Sequence, residues 1–170
     1  MLETISKGYV HELRRLYRGN PDFGRSAHKY AELVASFGLK DVLDYGCGQR
    51  TLEQALGWPI SNYDPAVPGC DNPPQKADLV FCGDVLEHVE PEYLGNVLET
   101  LAGLAKQVAI LEIATRPAKK TLSDGRNAHL IIQDADWWRD RVGAYFNIDR
   151  EIVTAGRDVM FICLPLRIPC

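Results

Sequence analysis

Three stretches of this chain carry the residue types that chemistry requires. In Asp44-Tyr45-Gly46-Cys47-Gly48, two glycines follow directly on an apolar run. Glycine lets the backbone turn sharply and approach a ligand with no Cβ in the way. Asp44, in front of the turn, offers an acceptor for an ammonium group or for the loop amides. Asp64-Pro65 ends a second predicted strand, and its carboxylate suits a ribose diol. A pyrophosphate favours a helix N-terminus free of nearby acid, so Asp44 beside the first glycine points to a cationic ligand. Similar turns also serve nicotinamide and flavin cofactors, which keeps a nucleotide-cofactor oxidoreductase as an alternative.

The third stretch is Gly83-Asp84-Val85-Leu86-Glu87-His88. If helical, it places Asp84 on one face with Glu87 and His88. His129, distant in sequence, is a candidate general base and completes with them a set of oxygen and nitrogen donors for a divalent ion. The favoured reading is metal-free, with Glu87-His88 a structural pair that orients the loop. Catalytic candidates are therefore His129, His88 and Asp84. Around His129, residues 115–129 carry Arg116, Lys119, Lys120 and Arg126. A basic loop on an acidic chain suggests an anionic acceptor gripped by Arg116 or Arg126. Tyr30, in the N-terminal part, is a further candidate for substrate contact.

Positioning these residues requires alternating strands and helices. Apolar residues at helical spacing predict helices over Ile5–Arg18 and Ser26–Phe37. Short apolar runs predict strands at Asp41–Tyr45, Pro59–Tyr63, Ala77–Cys82 and Val108–Ala114, with helices at Thr51–Leu56 and Pro91–Ala105 between them. Val108–Ala114 is almost continuously apolar, as expected of a sheet covered on both faces. Asp134 or Asp136 is placed to cap a helix ending near Ala144. Phe146–Val153 and Val159–Leu164, joined by a short turn at Ala155-Gly156, must pair antiparallel. The pattern predicts a single α/β domain over residues 1–170. Its Rossmann-like, mainly parallel open sheet has helices on both faces and ends in an antiparallel hairpin, and residues 1–37 form a helical lid. Ligands of such sheets bind beyond the carboxyl ends of the strands, where the strand order reverses.

The residues also resemble a family. Asp44-Tyr45-Gly46-Cys47-Gly48, Tyr63-Asp64-Pro65 and Ala77 to Val89 are similar, in this order, to the successive motifs of class I S-adenosylmethionine-dependent methyltransferases. The resemblance runs from about residue 25 to the end. It implies that Asp44, Gly46, Cys47 and Gly48 lie at the methionine part of the cofactor. Asp64 and Pro65 would lie at its ribose, and Gly83, Asp84 and Val85 near the reacting methyl. Asp84-x-x-Glu87-His88 with His129 further resembles the metal-binding pattern of ubiquinone-biosynthesis O-methyltransferases and small-RNA 3′-end methyltransferases, with Asp84 shorter than their usual glutamate. Two features depart from the family. Arg50 stands where a small residue is usual, and residues 66–76 replace a strand and helix, leaving Asp71 as a candidate for the adenine contact. The expected reaction is O- or N-methylation of a small, anionic or nucleotide-like acceptor. A non-catalytic cofactor-binding partner subunit is the alternative from another class.

Composition narrows the setting. With 46% hydrophobic and 25% charged residues the chain is globular in character. A net charge of −4 argues against non-specific coating of nucleic acid but leaves room for a local basic site. Duplex DNA is not expected as substrate. No apolar run is long enough for a membrane span, and five cysteines without framework spacing suit a reducing, cytoplasmic compartment. Trp137 and Trp138, adjacent on a helix, cannot share a face, so one is expected in the core.

Overall fold

A computed structural model describes residues 2–154 and 157–166. The proposed turn at Ala155-Gly156 lies outside the described residues. Six strands form one sheet in the order β2-β1-β3-β4-β6-β5. Strands β1 (Val42–Tyr45), β2 (Ser61–Tyr63), β3 (Ala77–Gly83) and β4 (Ala105–Ala114) are parallel. β5 (Phe146–Thr154) and β6 (Asp158–Pro165) form the antiparallel hairpin, and β6 inserts between β4 and β5. The order reverses beside β1, so the crevice at its carboxyl end is the place where a ligand fits.

β1 is buried along its whole length and β3 almost so, because both of their faces are covered. On one face α4 (Leu94–Leu104) and α5 (Ala135–Gly143) bury Leu98, Leu101 and Trp138 against Val80, Leu111 and Phe161. On the other, α2 (Ala31–Ser36) and α3 (Thr51–Leu56) pack Val34 and Leu52 against Leu79, Phe81 and Ile110. Asp134 caps α5 by accepting from the Trp137 amide at 2.8 Å. Trp138 goes to the core and Trp137 stays partly exposed, as two adjacent helical residues must.

The observed elements differ from the predicted ones mainly at helix starts. Ser26–Tyr30 is a 3-10 turn that precedes α2, and Pro91–Tyr93 is another that precedes α4. β4 begins at Ala105, earlier than its apolar run, because Ala105 already pairs with Ala77; the exposed Lys106 and Gln107 fall in an irregularity before the regular ladder resumes at Val108.

The N-terminal helix α1 (Lys7–Gly19) touches neither main core. Its buried Tyr9 and Leu16 make a third, smaller core with Leu122 and Ala128 from the loop after β4. Ser6 caps α1 by accepting from the Tyr9 amide, and it also binds Glu90 through both its amide and hydroxyl, at 2.8 and 2.7 Å. Helix and loop therefore lie together over the carboxyl ends of the strands. Among the described residues no helix is long and apolar enough to cross a membrane.

Candidate active site

The glycine turn is built by β1 and β2 together. The amides of Gly46 and Cys47 both donate to the Tyr63 carbonyl, at 2.7 and 3.0 Å, and this brings Asp64 against the turn. Gly46 (φ +82°) and Gly48 (φ +48°) occupy the left-handed region, and close neighbours forbid a side chain at either. A Cβ on Gly46 would stand 2.3 Å from Val85 Cγ2, and one on Gly48 would stand 2.5 Å from the Gly24 carbonyl oxygen.

Asp64 is buried and accepts from Ala66 N (2.8 Å), Gly48 N (3.2 Å) and the Tyr17 hydroxyl (2.7 Å). Burial raises its pKa against the hydrogen bonds that lower it. Burial and the neighbouring Asp64 likewise drive the Tyr17 phenol upward, so Tyr17 keeps its proton and donates. Asp44 lies buried at the end of β1, with Oδ2 lacking any partner. Burial first, then Asp64 and Glu53, push its carboxyl up to about 7. A buried acceptor in that state fits an incoming cation.

The segment after α1 straps across the turn. Gln49 Nε2 donates to the carbonyls of Pro21 and Phe23, both at 2.7 Å, and the Gln49 amide donates to Gly24 O at 2.9 Å. Beneath strap and helix runs a pocket. Gly46, Asp64 and Pro65 line it on one side, Gly83, Asp84 and Val85 on another, and Ile5, Tyr9 and Leu13 of the helical lid cover it.

At one end the pocket adjoins a mouth between the strap and residues 116–129. Here Asp84, His88 and His129 converge, each offering one ligand atom within 4.8 Å of the other two. Asp84 takes φ +60° and accepts from the Ser26 hydroxyl at 3.1 Å. His88 Nδ1 lies 2.7 Å from the Ala128 carbonyl and His129 Nδ1 lies 2.6 Å from the Arg116 carbonyl. A carbonyl only accepts, so both rings carry their proton on Nδ1 and keep a lone pair on Nε2 when neutral. The rings meet edge to face at 4.7 Å between centroids. Burial lowers the His88 pKa to about 4, holding it neutral near pH 7. Asn127 Oδ1 supports the loop by accepting from Ala118 N and His129 N, each at 2.9 Å.

Other expected site residues sit elsewhere. Glu87 faces away from the mouth: it is fully buried, its Oε1 accepts from Ala114 N at 2.7 Å, and burial pushes its pKa far up. It does not join the three converging donors, because its side chain ties the loop to the end of β4. Arg126 turns to Asp124 at 2.7 Å and lies outside the mouth. Tyr30 packs on Phe81 with its hydroxyl turned to the buried Glu112, away from both cavities. Cys47 is buried behind the turn and does not line the pocket. Asp71 lies at the surface, 3.7 Å from Arg14. Arg50 pairs with Glu53 at 2.7 Å and lines an outer cleft, so it neither enters nor obstructs the pocket. Arg116 does line the mouth, while reaching Asp158 at 3.4 Å.

Tyr17 and Ser26 are the site residues that sequence reasoning missed. Tyr17 reads there only as one apolar position of a helix. No local signal marks its contact with Asp64, 47 residues along the chain.

A family model described as a methyltransferase domain matches residues 9–150. The chain belongs to this methyltransferase family. The fold is that of S-adenosylmethionine-dependent methyltransferases of class I. A DhpI complex with S-adenosylhomocysteine is similar, with a TM-score of 0.67 and 17% identity over 94% of this chain and 98% of that one. The 1,6-didemethyltoxoflavin-N1-methyltransferase of Burkholderia thailandensis, solved with 1,6-didemethyltoxoflavin and S-adenosylhomocysteine, has a TM-score of 0.65 and 15% identity over 97% and 92% of the two chains. The magnesium protoporphyrin IX methyltransferase of Synechocystis PCC 6803, with bound S-adenosylhomocysteine, has a TM-score of 0.58 and 19% identity over 93% and 94%. No curated protein matches this chain.

Proposed function

We propose that this methyltransferase holds S-adenosylmethionine in the pocket under α1 and methylates an oxygen or nitrogen of a small anionic acceptor at the neighbouring mouth. The observation that carries the reading is the convergence of Asp84, His88 and His129 where the pocket meets the mouth. The cofactor supplies an electrophilic methyl on a sulfonium. The residues present suit it in part: Asp64 fits a ribose diol and Gly46 lines the pocket beside it, while Asp44, its Oδ2 unpartnered, lies buried without lining the pocket and Gly48 lines the outer cleft.

This chain's own residues align and deprotonate the acceptor. His129 accepts the acceptor proton on Nε2 as the nucleophile forms, and its Nδ1 proton on the Arg116 carbonyl keeps the ring in that orientation. Asp84 lies close enough to stabilise the resulting imidazolium, and neutral His88 offers a second acceptor to orient the hydroxyl or amine. Arg25, Arg116, Lys119 and Lys120 line the same mouth, which favours an acceptor bearing a carboxylate or phosphate. The toxoflavin and magnesium protoporphyrin methyltransferases of similar fold take small molecules, as their names state. The buried free thiols of Cys47, Cys70, Cys82 and Cys163 suit a reducing, cytoplasmic setting.

Calorimetric titration with S-adenosylhomocysteine tests the cofactor site. Asp64→Ala removes a charged acceptor of hydrogen bonds, an interaction of about 1.5–3 kcal/mol, and affinity should fall about 10- to 150-fold. Binding of a nicotinamide cofactor in place of S-adenosylhomocysteine would overturn the reading.

A further inference from the structure

Beyond Tyr17 a cleft opens between α1, the strap and residues 66–70. Arg14, Arg18, Arg25 and Arg50 all line it, and among the described residues no carboxylate does. This is a concentration of positive charge on a chain whose net charge is −4. Arg14 and Arg18 stand one helical turn apart, where like charges oppose the helix. Arg50 keeps a long side chain at φ +59°, a conformation in which glycine carries no steric cost. Acids reach only two of the four: Asp71 lies 3.7 Å from Arg14, and Glu53 lies 2.7 Å from Arg50. Among the described residues Arg18 and Arg25 have no acidic partner, and Arg14 Nε is buried without an acceptor.

Four guanidinium groups and no lysine around one cleft suit phosphate in particular. The planar fork matches two phosphate oxygens at once, whereas an ammonium acts as a point charge. We propose that this cleft is a binding site for a diphosphate group, separate from the methyl-donor pocket. Two or more phosphates are needed to engage arginines spread over α1, the strap and the turn after β1. Tyr17 and the strap divide the cleft from the pocket, and Arg25 alone of the four also lines the acceptor mouth.

The probe is inorganic pyrophosphate, titrated calorimetrically into the full chain in 150 mM salt, with citrate as a carboxylate control. The expected result is saturable 1:1 binding at least tenfold tighter than citrate. Arg18→Ala and Arg50→Gly should each weaken it at least fivefold. Arg50→Gly relieves the left-handed backbone, so its melting temperature should stay within about 2 °C of the wild type, which separates lost affinity from lost folding. Pyrophosphate should also bind undiminished with S-adenosylhomocysteine present. Absent or citrate-like binding, binding untouched by both substitutions, or displacement by S-adenosylhomocysteine would each overturn the proposal. The titration needs no methyl donor, so its failure leaves the reading of the donor pocket standing.

Discussion

Replacing Gly46 by alanine probes the join between the glycine turn and the loop after β3. The new Cβ would stand 2.3 Å from Val85 Cγ2 and 3.2 Å from Cγ1, and the backbone would stay at φ +82°. An L-residue in the left-handed region costs about 1–2 kcal/mol. Overpacking of this kind costs about 1–3 kcal/mol, for a total of about 2–5 kcal/mol. A chain of this length loses about 2–4 °C of melting temperature per kcal/mol, so Gly46→Ala should lower it by about 4–20 °C. The two costs separate in a double-mutant cycle with Val85→Ala, read by calorimetric melting and urea denaturation. Removing the Val85 methyls relieves the clash and leaves the backbone cost, so the coupling should be about 1–3 kcal/mol. A Gly46→Ala protein melting within about 2 °C of the wild type, or a coupling under about 0.5 kcal/mol, would refute the close packing of turn and loop.

Three further outcomes are expected. Without cofactor, stability should decline as pH rises from about 4 towards 7: Asp44 keeps its proton in the folded chain, where its carboxyl is pushed up to about 7, and loses it from 3.8 when unfolded. The folded state then binds more protons, so Asp44→Asn should flatten that decline in melts run across the pH range, and an unchanged slope would show that Asp44 is not its source. Asp134→Ala removes the α5 cap and should cost about 0.5–2 kcal/mol by urea denaturation, while Asp134→Asn should retain most of it. His129→Gln should leave S-adenosylhomocysteine affinity unchanged and slow methyl transfer about 10²- to 10⁴-fold, measured in single turnover once an acceptor is in hand; a fall in affinity with intact turnover would remove His129 from the role of base.

Much of the frame was legible because its signals are local. The apolar runs of β1, β3 and β4, the glycines of the turn, and the hairpin at the end each follow from neighbouring residues. Asp64 was legible for the same reason, as an acid that ends a strand. The starts of α2 and α4 were not, since 3-10 turns and α-helices share nearly the same apolar spacing. The basic loop shows the limit well. Arg116 and Arg126 look equivalent in sequence, yet the turn that pairs Thr121 with Asn127 directs Arg126 to Asp124 and out to solvent.

Sequence alone thus determined the sheet, the glycine turn and the acid beside it, since strand propensity, left-handed backbone and burial are written in short windows. Only the tertiary structure decided how the pieces meet. It set Tyr17 on Asp64, joined His88 to His129, turned Glu87 inward and gathered arginines from three elements around one cleft. Such meetings depend on how helix and loop pack over the strand ends. That packing sums many weak contacts between residues far apart in the chain.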